Sequence, residues 1–279
     1  MRFEGDTLSV PKGADALLRD LVHERLGLHY DGPRHDQLLE RLAPLVLERG
    51  FQSYLDYYYL LKYDEEGATE WPRVMNALSV PETYFWREAD QFRALTEHIL
   101  PALAARWTSG VVRIWSVPCA SGEEPLSIAM ALNETGWFTR LPIEIHGSDA
   151  SEAALAKARA GRYRERAFRA LAPDMREKYF TRDGDTWVVA PELCRRVQWS
   201  LVNLASEEQV RPRASAPVIF CRNVFIYFSD RSIRRTVRVM AEAMPPGGYL
   251  CVGASESLLQ VTDAFELDQM GSAFVYVRR

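Results

Sequence analysis

A loop of small residues followed by two acidic residues is the part of the chain best suited to chemistry. Cys119-Ala-Ser-Gly122 leads directly into Glu123 and Glu124, and Pro125 then suits the first turn of a helix because its missing N–H costs little there. The small side chains let a ligand lie against the backbone, and Gly122 tolerates dihedral angles that other residues resist. This pattern predicts a loop that holds a nucleoside-like ligand at the start of a helix.

Another acidic residue, Asp149, ends the predicted strand Ile143 to Asp149. The run from Val111 to Ser116 is short, apolar and β-branched apart from one arginine, which indicates a buried strand ahead of the loop. Strand, loop, helix, strand and acid in this order are typical of the first half of a doubly wound nucleoside-binding fold. We therefore expect Asp149 to contact ribose hydroxyls.

The same loop restricts the class of ligand. Dinucleotide sites usually carry G-x-G-x-x-G and place a pyrophosphate on bare helix N–H groups, whereas Glu123 and Glu124 would repel a pyrophosphate. A ligand with an adenosine and a positive centre, such as S-adenosylmethionine, fits better. The alternative is that both glutamates form a solvated first helical turn that the helix dipole favours.

Two further polar residues follow a buried strand later in the chain. Arg222 and Asn223 come where the apolar run from Pro217 to Cys221 should leave the core. Open α/β sheets place ligand contacts at this end of their strands. Asn223 is therefore interpreted as a polar anchor in an apolar pocket rather than as a simple turn residue.

Three aromatic residues, Tyr84, Phe85 and Trp86, precede Arg87 in a segment where Pro81 disfavours helix. One interpretation is that the rings shelter a cation or an adenine while Arg87 holds an anion. The other is a hydrophobic plug between domains with a salt-bridged arginine.

The elements that must position these residues divide the chain into three parts. Helical periodicity predicts an all-helical amino-terminal domain over residues 1–79, with tyrosines in the 51–63 segment packed inside it. A linker segment and helix occupy 80–107, and a Rossmann-like α/β domain occupies 108–279. A hairpin at Arg182–Asp185 and a third strand from Val197 predict a small antiparallel insertion over about 180–200. Two antiparallel strands around Gly271 should close the sheet.

Composition excludes several classes of protein. The 279 residues carry a formal net charge of −4 with both signs interspersed, so nothing favours binding to nucleic acid. The four cysteines form no C-x-x-C pair, which indicates a reducing compartment and no metal site. Neither a signal peptide nor an apolar run of the ~18 residues needed for a membrane span is present, which predicts a cytoplasmic protein without membrane insertion.

Several separated stretches together resemble the CheR-type family, the S-adenosylmethionine-dependent methyltransferases that esterify glutamates on bacterial chemoreceptors. The matching stretches are Thr83-Tyr-Phe-Trp-Arg-Glu88, Trp115-Ser, Ser121-Gly-Glu-Glu-Pro125, Ser127-Ile-Ala-Met130, Gly147-Ser-Asp149, Val202-Asn-Leu204, Ile219-Phe-Cys-Arg-Asn-Val224, Ile226-Tyr-Phe228, Gly247-Gly-Tyr-Leu250 and Ser255-Glu256. They lie in family order, and the Phe-Cys-Arg-Asn-Val run is highly specific. The resemblance implies a helical domain followed by a class I methyltransferase domain with an inserted three-stranded β-subdomain.

Carried over residue by residue, the resemblance also implies a set of site residues. The residues that would line the S-adenosylmethionine pocket are Thr83, Arg87, Glu124, Asp149, Asn203, Leu204, Arg222 and Asn223. Arg87 and Tyr227 would stand near the transferred methyl and are the predicted catalytic residues. The implied partner is the helical bundle of a chemoreceptor, either membrane-bound or soluble, and the implied oligomeric state is a monomer.

The chain departs from the family pattern in three places. Pro81 stands where the family usually has an asparagine, so one side-chain hydrogen bond to the cofactor cannot form, and its loss should cost ~0.5–1.5 kcal/mol. The family's receptor-facing helix is rich in arginines, whereas Arg41-Leu42 is followed here by Ala43-Pro-Leu-Val-Leu47. The electrostatic attraction between this helix and an acidic receptor should therefore be weaker. The turn Arg182–Asp185 is short, which puts tethering to a receptor tail in question.

Two other functions compete with methyl transfer. One is a nicotinamide-dependent dehydrogenase, against which the single-glycine loop argues. The other is a non-catalytic module of the same fold that binds S-adenosylmethionine as a signal. The presence of both Arg87 and Tyr227 favours the enzyme.

Overall fold

The computed structural model describes residues 8–80 and 82–279, apart from the side chain of Pro33. The chain divides into two compact units. The first contains the described residues up to Val80 together with Tyr227–Ser229, and the second contains the rest. The prediction made for Pro81 lies outside the described residues. None of the helices in the described part of the chain has both the length and the apolar character that a membrane crossing needs.

The first unit is helical, as predicted. Its elements are α1 (Ala14–Leu26), a 3-10 turn (Gly32–Arg34), α2 (His35–Glu48), α3 (Tyr54–Tyr63) and α4 (Gly67–Leu78). Leucines spaced three or four apart on α1 and α2 form the buried face, since Leu18, Leu38 and Leu42 are fully buried. The packing role predicted for the tyrosines is correct for the buried Tyr57, whereas Tyr63 is 70% exposed.

The second unit begins with a helix and continues with a seven-stranded sheet. The helix runs as α5 (Ala89–Ala94), a π-helical turn (Leu95–Ile99) and α6 (Leu100–Arg106). The strands of the main sheet are β1 (Val112–Ser116), β2 (Ile143–Asp149), β6 (Val197–Leu201), β7 (Val218–Phe220), β8 (Tyr249–Cys251), β9 (Phe265–Met270) and β10 (Ala273–Arg278). Their spatial order is β6-β2-β1-β7-β8-β10-β9. The first five strands in that order are parallel, and the predicted closing pair β9 and β10 is antiparallel.

Helices connect the strands of the second unit. They are α7 (Glu123–Glu134), α8 (Trp137–Arg140), α9 (Glu152–Ala160), α10 (Pro173–Tyr179), α11 (Pro191–Cys194), α12 (Glu207–Arg213) and α13 (Asp230–Ala243). Helix α9 is capped at its amino terminus, where the Ser151 side chain accepts a hydrogen bond from the Ala154 amide. Because β1, β2, β7 and β8 are parallel, their carboxyl ends lie at one edge of the sheet. Asp149 is the last residue of β2, and the small-residue loop and Arg222 with Asn223 follow the ends of β1 and β7.

A second, three-stranded antiparallel sheet consists of β3 (Arg162–Tyr163), β5 (Thr186–Val189) and β4 (Phe180–Asp183), in that order. The predicted hairpin is confirmed, since Asp183 pairs with Thr186. The assignment of the Val197 strand to this sheet is wrong, because β6 pairs in parallel with β2 in the main sheet. Alternation along a strand shows which face is apolar but not which sheet the strand joins.

Candidate active site

The small-residue loop turns sharply at Gly122 because the space around that residue is full. Gly122 has φ 96°, and a Cβ there would lie 2.8 Å from the ring of Trp199 and 2.9 Å from the Cβ of Ala158. Only glycine meets both the conformation and the close approach. The loop therefore stays tight against β6 and α9 and leaves its other side for a ligand.

Of the two glutamates that open α7, Glu123 is buried and the side chain of Glu124 is only 14% exposed, so the alternative of a solvated first turn is wrong. Glu123 is 4% exposed, and Ser121 Oγ donates to both of its carboxylate oxygens. Burial raises the pKa of Glu123 to about 7. Burial also raises the pKa of Glu124, against the opposing effects of Arg222 and of a hydrogen bond from Ser116.

Glu124 belongs to an ion network centred on Arg222. Ser116 Oγ donates to Glu124 Oε1 at 2.7 Å, and Arg222 Nη1 lies 3.2 Å from Glu124 Oε2. On the other side, Arg222 Nη2 lies 3.2 Å from Glu88 Oε2 and donates to the Arg87 carbonyl at 2.7 Å. One buried cation thereby joins the linker segment to the loop after β1.

Arg222 retains unused hydrogen-bonding capacity. Its side chain is 1% exposed, and its Nε has no hydrogen-bond partner among the described residues. Its Nη1 forms an ion pair with Glu124 but no hydrogen bond. The nearby Gln91 Oε1 is in the same state, although Gln91 Nε2 donates to the Val252 carbonyl. Buried donors and acceptors without partners are costly, so these atoms fit a polar ligand that carries both kinds of group.

Asp149 fastens the loop from the end of β2. Its Oδ2 accepts from the Ala120 amide and its Oδ1 from the Ser151 amide, both at 2.8 Å. Burial raises the pKa of Asp149, and these amide bonds work in the opposite direction. Each carboxylate oxygen has a second acceptor direction, which is what the predicted ribose contact requires.

Asn223 is held by Glu256, which follows β8. Glu256 Oε2 accepts from the amides of Asn223 and Gly253, while Oε1 accepts from the amide of Phe225. A Cβ on Gly253 would lie 2.5 Å from Asn223 Nδ2, so the glycine leaves the room that the Asn223 side chain occupies. Glu256 therefore fixes the backbone of Asn223, while the role of the Asn223 side chain as a polar anchor stays a prediction.

The residues of the aromatic segment Tyr84-Phe-Trp-Arg87 have different surroundings. Phe85 is fully buried against Tyr163, Phe168 and Phe180, all of them in the second unit, so it is a hydrophobic plug inside that unit and not one between domains. Arg87 remains half-buried, its Nη1 donates to the Glu82 carbonyl at 3.2 Å, and its guanidinium lies 5.5 Å from the centre of the Tyr84 ring. The plug thus anchors the segment and leaves Arg87 beside the ion network.

Backbone strain is concentrated at this site. Among the described residues, the non-glycine residues with positive φ are Trp86 (65°), Glu88 (55°), Ala120 (46°) and Asn223 (58°). Each such conformation costs about 1–3 kcal/mol and persists only where the surroundings impose it. Their grouping around Arg87, the loop after β1 and the end of β7 marks this sheet edge as functional.

The remaining predicted residues lie in three places. Thr83 is half-buried in the linker. Asn203 and the buried Leu204 follow β6, where Asn203 Oδ1 accepts from the Ala205 amide and the Leu204 carbonyl accepts from Thr236. Tyr227 belongs to the first unit, in which its carbonyl accepts from the His29 amide at 2.8 Å.

The prediction did not assign roles to three residues that build the site: Glu88, Gln91 and Glu256. Two of them, Glu88 and Glu256, occur inside the family-like stretches, which was the one signal available. Their contacts join segments far apart in the chain, since Glu88 also accepts from the Ala254 amide. No group of three or more histidine, cysteine or acidic side chains suited to a metal ion occurs within residues 8–80 and 82–279.

Comparison with known proteins identifies the family. The model of the CheR methyltransferase all-alpha domain matches residues 15–79, and that of the CheR methyltransferase SAM binding domain matches residues 81–274. The chain belongs to the CheR methyltransferase family. Its cofactor is S-adenosylmethionine, and the chain is a methyltransferase that depends on it. The dehydrogenase alternative is thereby excluded.

Relatives in this family match most of the chain. Chemotaxis protein methyltransferase 2 of Vibrio cholerae is 32% identical over 93% of this chain and 91% of its own length. The chemotaxis protein methyltransferase of Klebsiella aerogenes is 33% identical over 90% of this chain and 85% of its own length. That of Vibrio anguillarum is 35% identical over 85% of this chain and 86% of its own length.

The buried polar atoms of the site fit this cofactor. Its amino acid end carries a carboxylate that can accept from Arg222 and an ammonium that can donate to Gln91 Oε1 or to the carboxylates of Glu88 and Glu124. Its ribose hydroxyls can donate to Asp149.

Proposed function

We propose that this chain transfers methyl groups to glutamate side chains on the cytoplasmic helical bundle of a chemoreceptor, forming methyl esters for sensory adaptation. We further propose that it acts as a cytoplasmic monomer. The observation that carries the proposal is the placement of Arg87. Its guanidinium is half-buried, and its backbone carbonyl accepts a hydrogen bond from Arg222. A fixed cation at the edge of a cofactor site suits an acceptor that is a carboxylate.

Methyl esterification of a glutamate makes modest demands on acid–base chemistry. When bound, S-adenosylmethionine would supply an activated methyl on its sulfonium centre, which a glutamate oxygen could accept with S-adenosylhomocysteine as the leaving group. A glutamate is already ionised near pH 7, so no side chain has to remove a proton. Catalysis then comes from alignment of the reacting atoms in a water-poor pocket.

Different residues of this chain align the cofactor and the acceptor glutamate. Arg222, Glu88 and Glu124 would hold the amino acid end of the cofactor, and Asp149 would hold its ribose. The Arg87 guanidinium orients the acceptor carboxylate with its two-pronged set of N–H donors. Tyr227 positions the methyl donor through its hydroxyl, as the family resemblance implies.

The test is transfer of labelled methyl from the cofactor to a purified chemoreceptor cytoplasmic fragment, read as base-labile label. The wild-type chain should esterify the fragment, and Arg87→Ala and Tyr227→Phe should lower turnover at least tenfold while cofactor still binds. Arg87→Lys keeps the positive charge but loses the two-pronged set of N–H donors, so its turnover should lie between those of wild type and Arg87→Ala. Arg113→Ala, which removes an exposed arginine from β1, serves as the control.

Cofactor binding without any base-labile label on receptor fragments would contradict the proposal and leave the non-catalytic module as the better description. Full turnover by a folded Arg87→Ala would contradict the role of Arg87 alone.

A further inference from the structure

The segment between α9 and α10 is rich in exposed arginines. Arg162, Arg164, Arg166 and Arg169 all point outward, while Tyr163 and Phe168 between them are buried in the core of the second unit. We call residues 162–169 the arginine segment. Because the aromatic anchors alternate with the basic residues, the guanidinium groups are displayed on a fixed backbone rather than on a loose loop.

Half of the positive charge of the arginine segment is not neutralised by the residues that the structure describes. Arg162 pairs with Asp183 in the small sheet. Arg166 and Arg169 share the single carboxylate of Glu82, at 3.3 and 3.1 Å. Arg164 has no carboxylate within 4.0 Å among residues 8–80 and 82–279.

The one acidic residue inside the arginine segment is already engaged. Glu165 pairs with Arg176 and accepts from Trp187 Nε1 at 3.1 Å. Three guanidinium groups, those of residues 164, 166 and 169, therefore face one carboxylate, which leaves two positive charges uncompensated. This local excess stands out in a chain whose formal net charge is −4.

The arginine segment is connected to Arg87 through contacts that both make with Tyr84 and Glu82. The Arg169 guanidinium lies 3.7 Å from the centre of the Tyr84 ring, and the Arg87 guanidinium lies 5.5 Å from the centre of the same ring. The Phe85 amide donates to the Ala167 carbonyl at 2.9 Å. Glu82 pairs with Arg166 and Arg169 through its carboxylate and accepts from Arg87 through its carbonyl. The basic surface is thus continuous with the residue proposed to orient the acceptor.

We propose that the arginine segment is a docking surface for acidic side chains that flank the acceptor glutamate on the receptor. This inference rests on the proposed function. Charge complementarity supports it, because an acidic helix that presents one glutamate to Arg87 would bring its neighbouring carboxylates over Arg164 and Arg166.

Two variants of opposite sign test the proposal. Arg164→Gln combined with Arg166→Gln removes two charges without touching the Arg169–Tyr84 stack, and Glu82→Gln removes the internal competitor. In 50 mM salt the first variant should raise the KM for receptor fragment about tenfold and the second should lower it about threefold. At 500 mM salt both differences should shrink below twofold, because salt screens exposed charges.

The value of kcat and the dissociation constant of S-adenosylhomocysteine should stay within twofold of wild type, a split that a general loss of folding would not give. The matched control is Arg211→Gln combined with Arg238→Gln, which removes two exposed, ion-paired arginines from α12 and α13. It should leave the KM and its salt dependence unchanged.

An unchanged KM at 50 mM salt in the Arg164/Arg166 variant, or an equal rise in the control, would overturn the docking surface. Direct binding separates this inference from the methylation proposal. A fluorescent, glutamate-rich helical peptide should bind wild type more tightly than the Arg164/Arg166 variant, whether or not any receptor is methylated. Equal binding to both would overturn the inference even if the chain proves to be an active methyltransferase.

Discussion

Glu256 holds the backbone of Asn223 across the gap between two neighbouring strands. The Asn223 amide donates to Glu256 Oε2 at 2.8 Å, and the same oxygen accepts from the Gly253 amide at 2.7 Å. Asn223 adopts φ 58°, a conformation that asparagine tolerates better than most residues but that still requires support. One carboxylate therefore sets the relative position of the segments after β7 and β8.

Replacing Glu256 by Gln should weaken cofactor binding. The amide group of Gln can accept through one oxygen only, so at least one of the amides of Asn223, Phe225 and Gly253 loses its partner. A lost hydrogen bond of about 1–1.5 kcal/mol corresponds to roughly a tenfold rise in the dissociation constant of S-adenosylhomocysteine. Titration calorimetry measures it, with the exposed Glu266→Gln as control. Equal affinity in both variants would show that Asn223 does not need this support.

Gly253→Ala should destabilise the protein through a clash with Asn223. The added Cβ would lie 2.5 Å from Asn223 Nδ2 and 2.8 Å from Glu256 Oε2, distances that force a shift. Overpacking of this kind typically costs about 1–3 kcal/mol. The cost should be smaller in an Asn223→Ala background, because the nearest contact is then absent. Urea unfolding of the two single variants and the double variant measures the coupling, and additive effects would contradict it.

The sequence was sufficient to predict the site residues whose positions depend only on the order of strands and helices. Asp149, the loop at Gly122, and Arg222 with Asn223 follow parallel strands, so the rule for open α/β sheets places them at one edge. The contacts of Glu88 and Glu256 were not predictable, because they depend on left-handed residues and on segments distant in the chain. The sheet to which β6 belongs was missed for a related reason, since Val197 and Trp199 alternate in the same way in either sheet.

Arg222→Met should be strongly destabilising. The substitution leaves the carboxylates of Glu88 and Glu124 without the cation that lies 3.2 Å from each of them. Removing one partner from a buried ion pair costs about 3–5 kcal/mol, because the remaining charge is buried and uncompensated. The free energy of unfolding in urea measures the loss, and Arg238→Met on the exposed face of α13 is the control.

The combined variant Arg222→Met with Glu124→Gln distinguishes the loss of charge balance from the loss of packing. It should recover part of the stability, because one of the two unpaired carboxylates is then neutral. No recovery would mean that other contacts of the Arg222 side chain, such as that of its guanidinium 5.7 Å from the centre of the Phe92 ring, matter more than its pairing with Glu124.

Glu123 should make the stability of the protein fall as the pH rises. Burial raises its pKa from 4.5 to about 7, while Ser121 and Lys157 act in the opposite direction. Between these values the folded state holds a proton that the unfolded state has released, so the free energy of unfolding contributed by this group decreases as pH increases. Its full contribution is present below pH 4.5 and is lost above pH 7, a change of about 3 kcal/mol at most.

Glu123→Gln removes the titrating group and should flatten the decline of stability between pH 5 and about 7. Unfolding free energies measured in urea across that window test this, with Glu152→Gln in the exposed first turn of α9 as control. The control should keep the wild-type slope. If Glu123→Gln also keeps the wild-type slope, the Glu123 carboxyl titrates in the folded state as it does in water. The loop after β1 would then be more open to solvent than its tight turn at Gly122 implies.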